Sequence, residues 1–195
     1  MAYRVSSLSA SPISLLTPGD SIYRQGDPSG TLYLVKFGCV MLSRVTRAGT
    51  RQVSGFFLPG EVFGWEVEEE HRFSAEAAGT TSIQVFGNSQ TPPDWRQAQI
   101  IPSLALLREQ LLVLSRPTAQ SRLAAFLGDL LERQHSSRRI YLPMHRLDIA
   151  DYLGLSPETV SRVFRRFQKM ELIATPSIHL VDVLMPDGLA KLHSG

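Results

Sequence analysis

The sequence predicts an α+β protein: an antiparallel β-sandwich or barrel first, then a long helix, then a helix-turn-helix carrying a β-hairpin wing. Three observations carry this. Residues 13–90 place turn signals every 8–12 residues between runs rich in Val, Leu, Tyr and Phe. From about residue 94 the period changes, and leucines recur at spacings of 3, 4 and 3. Around residue 150 a small residue, a glycine and two valines stand where two crossing helices need them.

In the first half, "DSIYRQGDPSGTLYLVKFGCVMLSRVTRAGTRQVSGFFLPGEVFG" is broken at Gly-Asp-Pro, Ser-Gly, Phe-Gly, Ala-Gly and Pro-Gly. Glycine and proline supply the backbone angles of turns, so the intervening apolar runs read as short strands. The single cysteine, Cys39, excludes an internal disulfide and reads as a small buried hydrophobe. No apolar run approaches the roughly 18 residues of a membrane span. The N-terminus lacks the basic region and apolar stretch of a secretory signal, so the expected location is cytoplasmic.

The second segment, "IPSLALLREQLLVLS", sets Leu104, Leu107, Leu111 and Leu114 along one seam. Two explanations fit: a dimerisation helix, or a helix packed on its own β-domain. Pro102 either starts this helix or kinks a longer one beginning near Asp94. Pro117 ends it, and a further helix is expected from near Thr118, apolar at Leu123, Phe126, Leu127, Leu130 and Leu131. The expected division is a β-domain over 1–93, a dimerisation helix and hinge over 94–116, and a winged helix-turn-helix domain over 117–195.

Within "RLDIADYLGLSPETVSRVFRRFQK", Ile149, Ala150, Gly154, Val160 and Val163 form the expected helix-turn-helix core. Ala150 permits close helix crossing, and Gly154 supplies the φ > 0 of a tight turn. Ser156 fits the N-cap, Pro157 the first helical position, and Glu158 the positive end of the helix dipole. At about 100° per residue, Glu158, Ser161, Arg162, Arg165 and Lys169 share one sector with Arg166 at its rim. That face suits double-stranded DNA. Glu158, Ser161 and Arg162 carry groups that pair with base edges; Arg165, Arg166, Lys169 and His145 are expected beside phosphates. Charge agrees: residues 116–195 carry 11 Lys+Arg against 8 Asp+Glu, whereas residues 1–115 carry 9 against 10. "LIATPSIHLVDV" reads as a two-stranded wing turning about Pro176-Ser177.

An enzyme built on a cupin-like barrel needs two histidines one apart and a third on a later strand. The first half offers only His71, beside Glu66, Glu68, Glu69 and Glu70. No catalytic residue, metal site or cofactor is expected, and the acidic run reads as a solvated hairpin.

These motifs resemble the CRP/FNR superfamily of bacterial transcription regulators over nearly the whole chain. "PGEVFGWE…AEA" with "LPMHRLDIADYLGLSPETVSR" is most similar to the FixK-type branch, and Glu158-x-x-Ser161-Arg162 has the pattern of the FNR and FixK branches. The resemblance implies an N-terminal antiparallel β-roll, a jelly roll like that of cyclic-nucleotide-binding domains. It also implies a homodimer through Leu104–Leu114 and an activator working with RNA polymerase at inverted half-sites similar to TTGAT-N4-ATCAA, with Arg162 on the guanine. Cys39 alone cannot hold the iron–sulfur cluster of FNR-type sensors.

Nucleotide-binding relatives hold the cyclic phosphate with Gly-Glu and an adjacent Arg-Ser or Arg-Thr pair. Here Gly60-Glu61 is present, but the pair is split as Arg72-Phe73-Ser74, which on a strand would put Ser74 on the same face as Arg72 and Phe73 on the other, so the adjacent-pair geometry is lost unless a bulge restores it. Leu107-Arg108 stands where polar base readers are expected. A small-molecule effector is therefore not expected. The alternative is a cyclic-nucleotide-gated regulator of the same superfamily.

Overall fold

The computed structural model describes residues 13–87 and 93–194; the N-terminal stretch read above for a leader lies outside them. The chain divides into two compact units, Met1–Arg44 with Phe56–Ala105, and Val45–Gly55 with Leu106–Gly195.

Among the described residues, eight strands precede the first helix: β1 (Ile13–Leu16), β2 (Ser21–Tyr23), β3 (Leu32–Phe37), β4 (Val40–Val45), β5 (Arg51–Phe57), β6 (Val62–Phe63), β7 (Ser74–Ala77) and β8 (Thr81–Phe86). They form two four-stranded sheets, ordered β1-β8-β3-β6 and β2-β7-β4-β5. The first contains the antiparallel pair Tyr33↔Val85 and Leu34↔Gln84. Leu32, Val35, Phe56, Phe63 and Phe86 are buried in this unit, and the register of β3 against β8 shifts between Val35 and Phe37. Gly38 has φ +82°, and a Cβ there would lie 2.3 Å from the Thr80 carbonyl, so the β3–β4 turn demands glycine. Cys39 is fully buried, with the Thr81 hydroxyl donating to its carbonyl at 2.9 Å.

The acidic run is not a hairpin. Val67 to Glu69 lie in bends and are exposed, while Glu70 makes an isolated bridge with Pro28. His71 is buried and stacks on Tyr23, ring centroids 3.6 Å apart.

Helix α1 (Pro93–Leu114) begins nine residues before Pro102, which is therefore interior and not the helix start. Its N-terminal part packs Trp95 on Phe86, with centroids 4.8 Å apart. Its leucines Leu104, Leu107 and Leu111 are exposed.

The second unit contains α2 (Ala119–Arg133), β9 (Arg139–Tyr141), α3 (Arg146–Leu153), α4 (Pro157–Lys169), β10 (Ile173–Ser177), β11 (Leu180–Val183) and α5 (Pro186–Ser194). Thr118 caps α2 reciprocally: its hydroxyl accepts from the Ser121 N–H at 3.0 Å, and the Ser121 hydroxyl accepts from the Thr118 N–H at 3.1 Å. Leu123, Phe126, Leu127 and Leu130 are buried, and α2 packs against α4 and α5.

The wing differs from the expectation in two ways. It has three strands, ordered β10-β11-β9. The reversal follows Ser177, so Pro176 lies inside β10 and not at the turn. β10 is an edge strand with an irregular register between Ala174 and Ser177, the setting in which a strand tolerates a residue without an N–H. The tip of the β4–β5 hairpin, Val45–Gly55, belongs to this second unit.

Candidate nucleic-acid interface

Helix α3 starts at His145, whose N–H donates to the Asp148 carboxylate at 2.8 Å. It ends at Gly154, in the left-handed conformation with φ +62°. Ser156 then caps α4, its hydroxyl accepting from the Thr159 N–H at 3.2 Å, and Pro157 occupies the first helical position. The local residues thus fix both the exit from α3 and the entry to α4.

Ile149, Ala150, Val160 and Val163 are all buried, with Phe164 and Phe167 beside them. The opposite side of α4 is open: Glu158, Arg162, Arg165, Arg166 and Lys169 are exposed and Ser161 is half-buried. Arg162 Nη2 donates to the Thr159 hydroxyl at 3.3 Å. The Glu158 carboxyl is held below the usual carboxylate range by its own backbone N–H and by the Ser156 hydroxyl, so it stays an ionised acceptor. This arrangement presents two kinds of group on one convex face, acceptor and bidentate donor near the helix start and cations further along. His145 is exposed at the N-cap of α3.

Three residues that the sequence reading missed hold this pair of helices. Arg122 of α2 donates from Nε to the Arg116 carbonyl at 2.8 Å and from Nη1 to the Leu153 carbonyl at 3.1 Å. It thereby satisfies an orphan carbonyl at the end of α3. The Arg146 guanidinium lies over the Phe164 ring. Arg51, on the hairpin tip, pairs with Asp148 and Asp151. Only the charge of each is visible in the sequence; the partners are 31, 18 and about 100 positions away.

In the β-unit, the residues read as a degenerate ligand pocket, Gly60, Glu61, Arg72 and Ser74, lie in turns and contacts of the unit itself. Glu61 accepts the Leu58 N–H at 2.8 Å and donates its own N–H back to the Leu58 carbonyl, closing a turn in which Gly60 has φ +92°. Arg72 pairs with Glu68, which holds that carboxyl below its usual range and raises the guanidinium. Ser74 accepts the Gln25 N–H at 2.9 Å. The strand argument for the split pair needs correction: β7 starts at Ser74, so Arg72 and Phe73 lie in a bend where faces do not alternate.

Comparison with known proteins places these features. Residues 121–192 match the family described as "Crp-like helix-turn-helix domain", and residues 14–90 match "Cyclic nucleotide-binding domain". The nitrogen fixation regulation protein FixK of Rhizobium meliloti is 42% identical over 182 residues, covering 92% of this chain and 86% of that one. The transcriptional activator protein Anr of Pseudomonas aeruginosa is 36% identical over 184 residues, covering 86% of this chain and 75% of its own. Among solved structures, FixK2 from Bradyrhizobium japonicum superposes with a TM-score of 0.85 at 29% identity, over 95% of this chain and 98% of that one. Identity at this level over nearly the full length of both sequences, with a helix-turn-helix in the expected place, makes this chain a member of the CRP/FNR family of transcription regulators, on the FixK side of that family.

Proposed function

We propose that this protein is a sequence-specific, homodimeric transcription activator that reads an inverted repeat similar to TTGAT-N4-ATCAA without a small-molecule effector. The observation that carries the reading is the outward face of α4, where Glu158, Arg162, Arg165, Arg166 and Lys169 stand exposed against a fully buried inner face. Glu158, Ser161 and Arg162 read bases, with Arg162 on guanine O6/N7. Arg165, Arg166, Lys169 and His145 meet phosphates.

The exposed leucines of α1 support the dimer. Leu104, Leu107 and Leu111 are 58%, 47% and 67% exposed within a single chain, an apolar stripe that a second copy would cover. Activation, with RNA polymerase as partner, is suggested by relatives named as activators. Among the described residues, no helix is long and apolar enough to cross a membrane, in keeping with work in the cytoplasm.

A second reading, a cyclic-nucleotide-gated regulator, has one observation in its favour, the match of residues 14–90. The engagement of Glu61, Arg72 and Ser74 with Leu58, Glu68 and Gln25 favours effector independence. DNA titrations of the purified protein on the inverted repeat, with and without cyclic nucleotides, test both. Binding of the repeat at unchanged affinity in both arms is expected. A tenfold gain on adding nucleotide would establish the gated reading instead.

A further inference from the structure

We infer that Arg51 is a positioning residue for DNA binding: the tip of the β4–β5 hairpin steadies the helix-turn-helix in its reading geometry. This rests on the DNA-reading role proposed for α4.

The tip is itself well fixed. Thr46 N–H donates to the Thr50 carbonyl at 2.9 Å, Gly49 N–H to the Thr46 carbonyl at 2.9 Å, and Thr50 N–H to the Thr46 hydroxyl at 3.2 Å. Arg51 leaves this turn and spans two carboxylates of α3: Nη2 donates to Asp148 Oδ1 at 2.9 Å and Nη1 to Asp151 Oδ2 at 3.1 Å. Residues 148 and 151 are three apart, so they lie on one face of the helix, one turn from each other. A planar guanidinium matches that fork, whereas a lysine ammonium offers a single point charge.

The Asp148 side chain is only 10% exposed, so its charge needs a partner. Its other oxygen already accepts the His145 N–H that begins α3. One carboxylate therefore sets the start of the helix and receives the hairpin. Further along β5, alternation places Arg51, Val53 and Gly55 on one face. Val53 is buried. A Cβ at residue 55 would lie 2.6 Å from Nε2 of the buried Gln110 in α1, so the bare glycine backbone rests directly against that amide, which a larger residue would have to displace. The tip is thus seated against α1 at Gly55 and against α3 at Arg51.

The seat covers none of the reading face, since Glu158, Arg162, Arg165, Arg166 and Lys169 all remain exposed. A hold that restricts α3 while leaving α4 open lowers the ordering cost of binding; it does not block binding.

The test uses the full chain with Arg51→Ala, Asp151→Ala, the double variant and Arg51→Lys. Readouts are DNA affinity across a salt series, sedimentation, and hydrogen exchange at residues 45–55 and 146–153. Arg51→Ala should weaken DNA binding about tenfold, keep the same oligomeric state, and speed exchange at the tip and α3. The double variant should lose little more than either single one, and Arg51→Lys should recover part of the affinity. The salt slope should not change, because a residue that acts through α3 releases no counterion from the DNA. Unaltered affinity overturns the inference, as does tighter binding, which would make the contact a restraint, or a slope reduced by about one, which would make Arg51 a direct phosphate contact. If the unaltered protein fails to bind the repeat, the DNA-reading role falls first and this inference with it.

Discussion

Arg146 of α3 carries its guanidinium over the ring of Phe164 in α4, with Cζ 3.7 Å from the ring centroid. Burial of the guanidinium lowers its pKa, yet arginine remains charged throughout the working pH range. The contact joins the two helices of the motif at a point where Phe164 is nearly enclosed. Replacing Arg146 with alanine should cost about 1–2 kcal/mol of stability in the second unit, from the lost cation–π contact and lost packing of its stem. Chemical denaturation checks this, and Arg146→Met should recover the packing share alone.

Arg162→Ala should relax discrimination at one guanine per half-site, at a cost on the order of 1–3 kcal/mol for a lost bidentate contact. Lys169→Ala should weaken all sequences alike and lower the salt slope. Titrations of both variants on native and guanine-substituted sites separate the two roles. Equal loss on the two sites for Arg162→Ala would remove Arg162 from base reading.

Leu111→Asp places a carboxylate in the centre of the exposed leucine stripe. If a second copy covers that stripe, the carboxylate is buried unpaired and the dimer disperses. Sedimentation should report monomer, with DNA affinity falling sharply because a single half-site offers few contacts. A persistent dimer would locate the interface elsewhere.

Gly154→Ala isolates backbone strain from crowding. A Cβ at this position meets its nearest neighbour, Arg122 Nη1, at an ordinary 3.8 Å, but φ is +62°. The expected loss is about 1 kcal/mol or somewhat more, all of it conformational. Gly154→Asn, which tolerates the left-handed region better, should lose less in the same denaturation experiment.

The recognition helix was legible because everything that shapes it is local. Ser156 and Pro157 define its start, and the 3.6-residue period sorts Val160, Val163 and Phe164 from Arg162, Arg165 and Lys169. The leucine spacing and the start of α2 near Thr118 were legible for the same reason. What escaped depends on distant residues. Strand β9 is only three residues long and exists through its pairing with β11, Ile140 facing Val181. α5 has few periodic positions to mark it. The misplaced wing turn followed from treating Pro176 as punctuation, when an irregular edge strand accommodates it. Arg122 and Arg51 read as surface charge because their carbonyl and carboxylate partners come from elsewhere in the fold.

Pro176 has a second effect, on what the wing cannot do. An edge strand offers unpaired N–H and carbonyl groups to any passing extended chain, and sheets joined this way grow into aggregates. β10 is such an edge, but Pro176 removes one donor and the irregular stretch between Ala174 and Ser177 breaks the spacing of the rest. The opposite edge, β9, is three residues long and bears the exposed Arg139. Neither side of the wing is a template for further strands, so two copies of this protein brought close together are not drawn to fuse wing to wing.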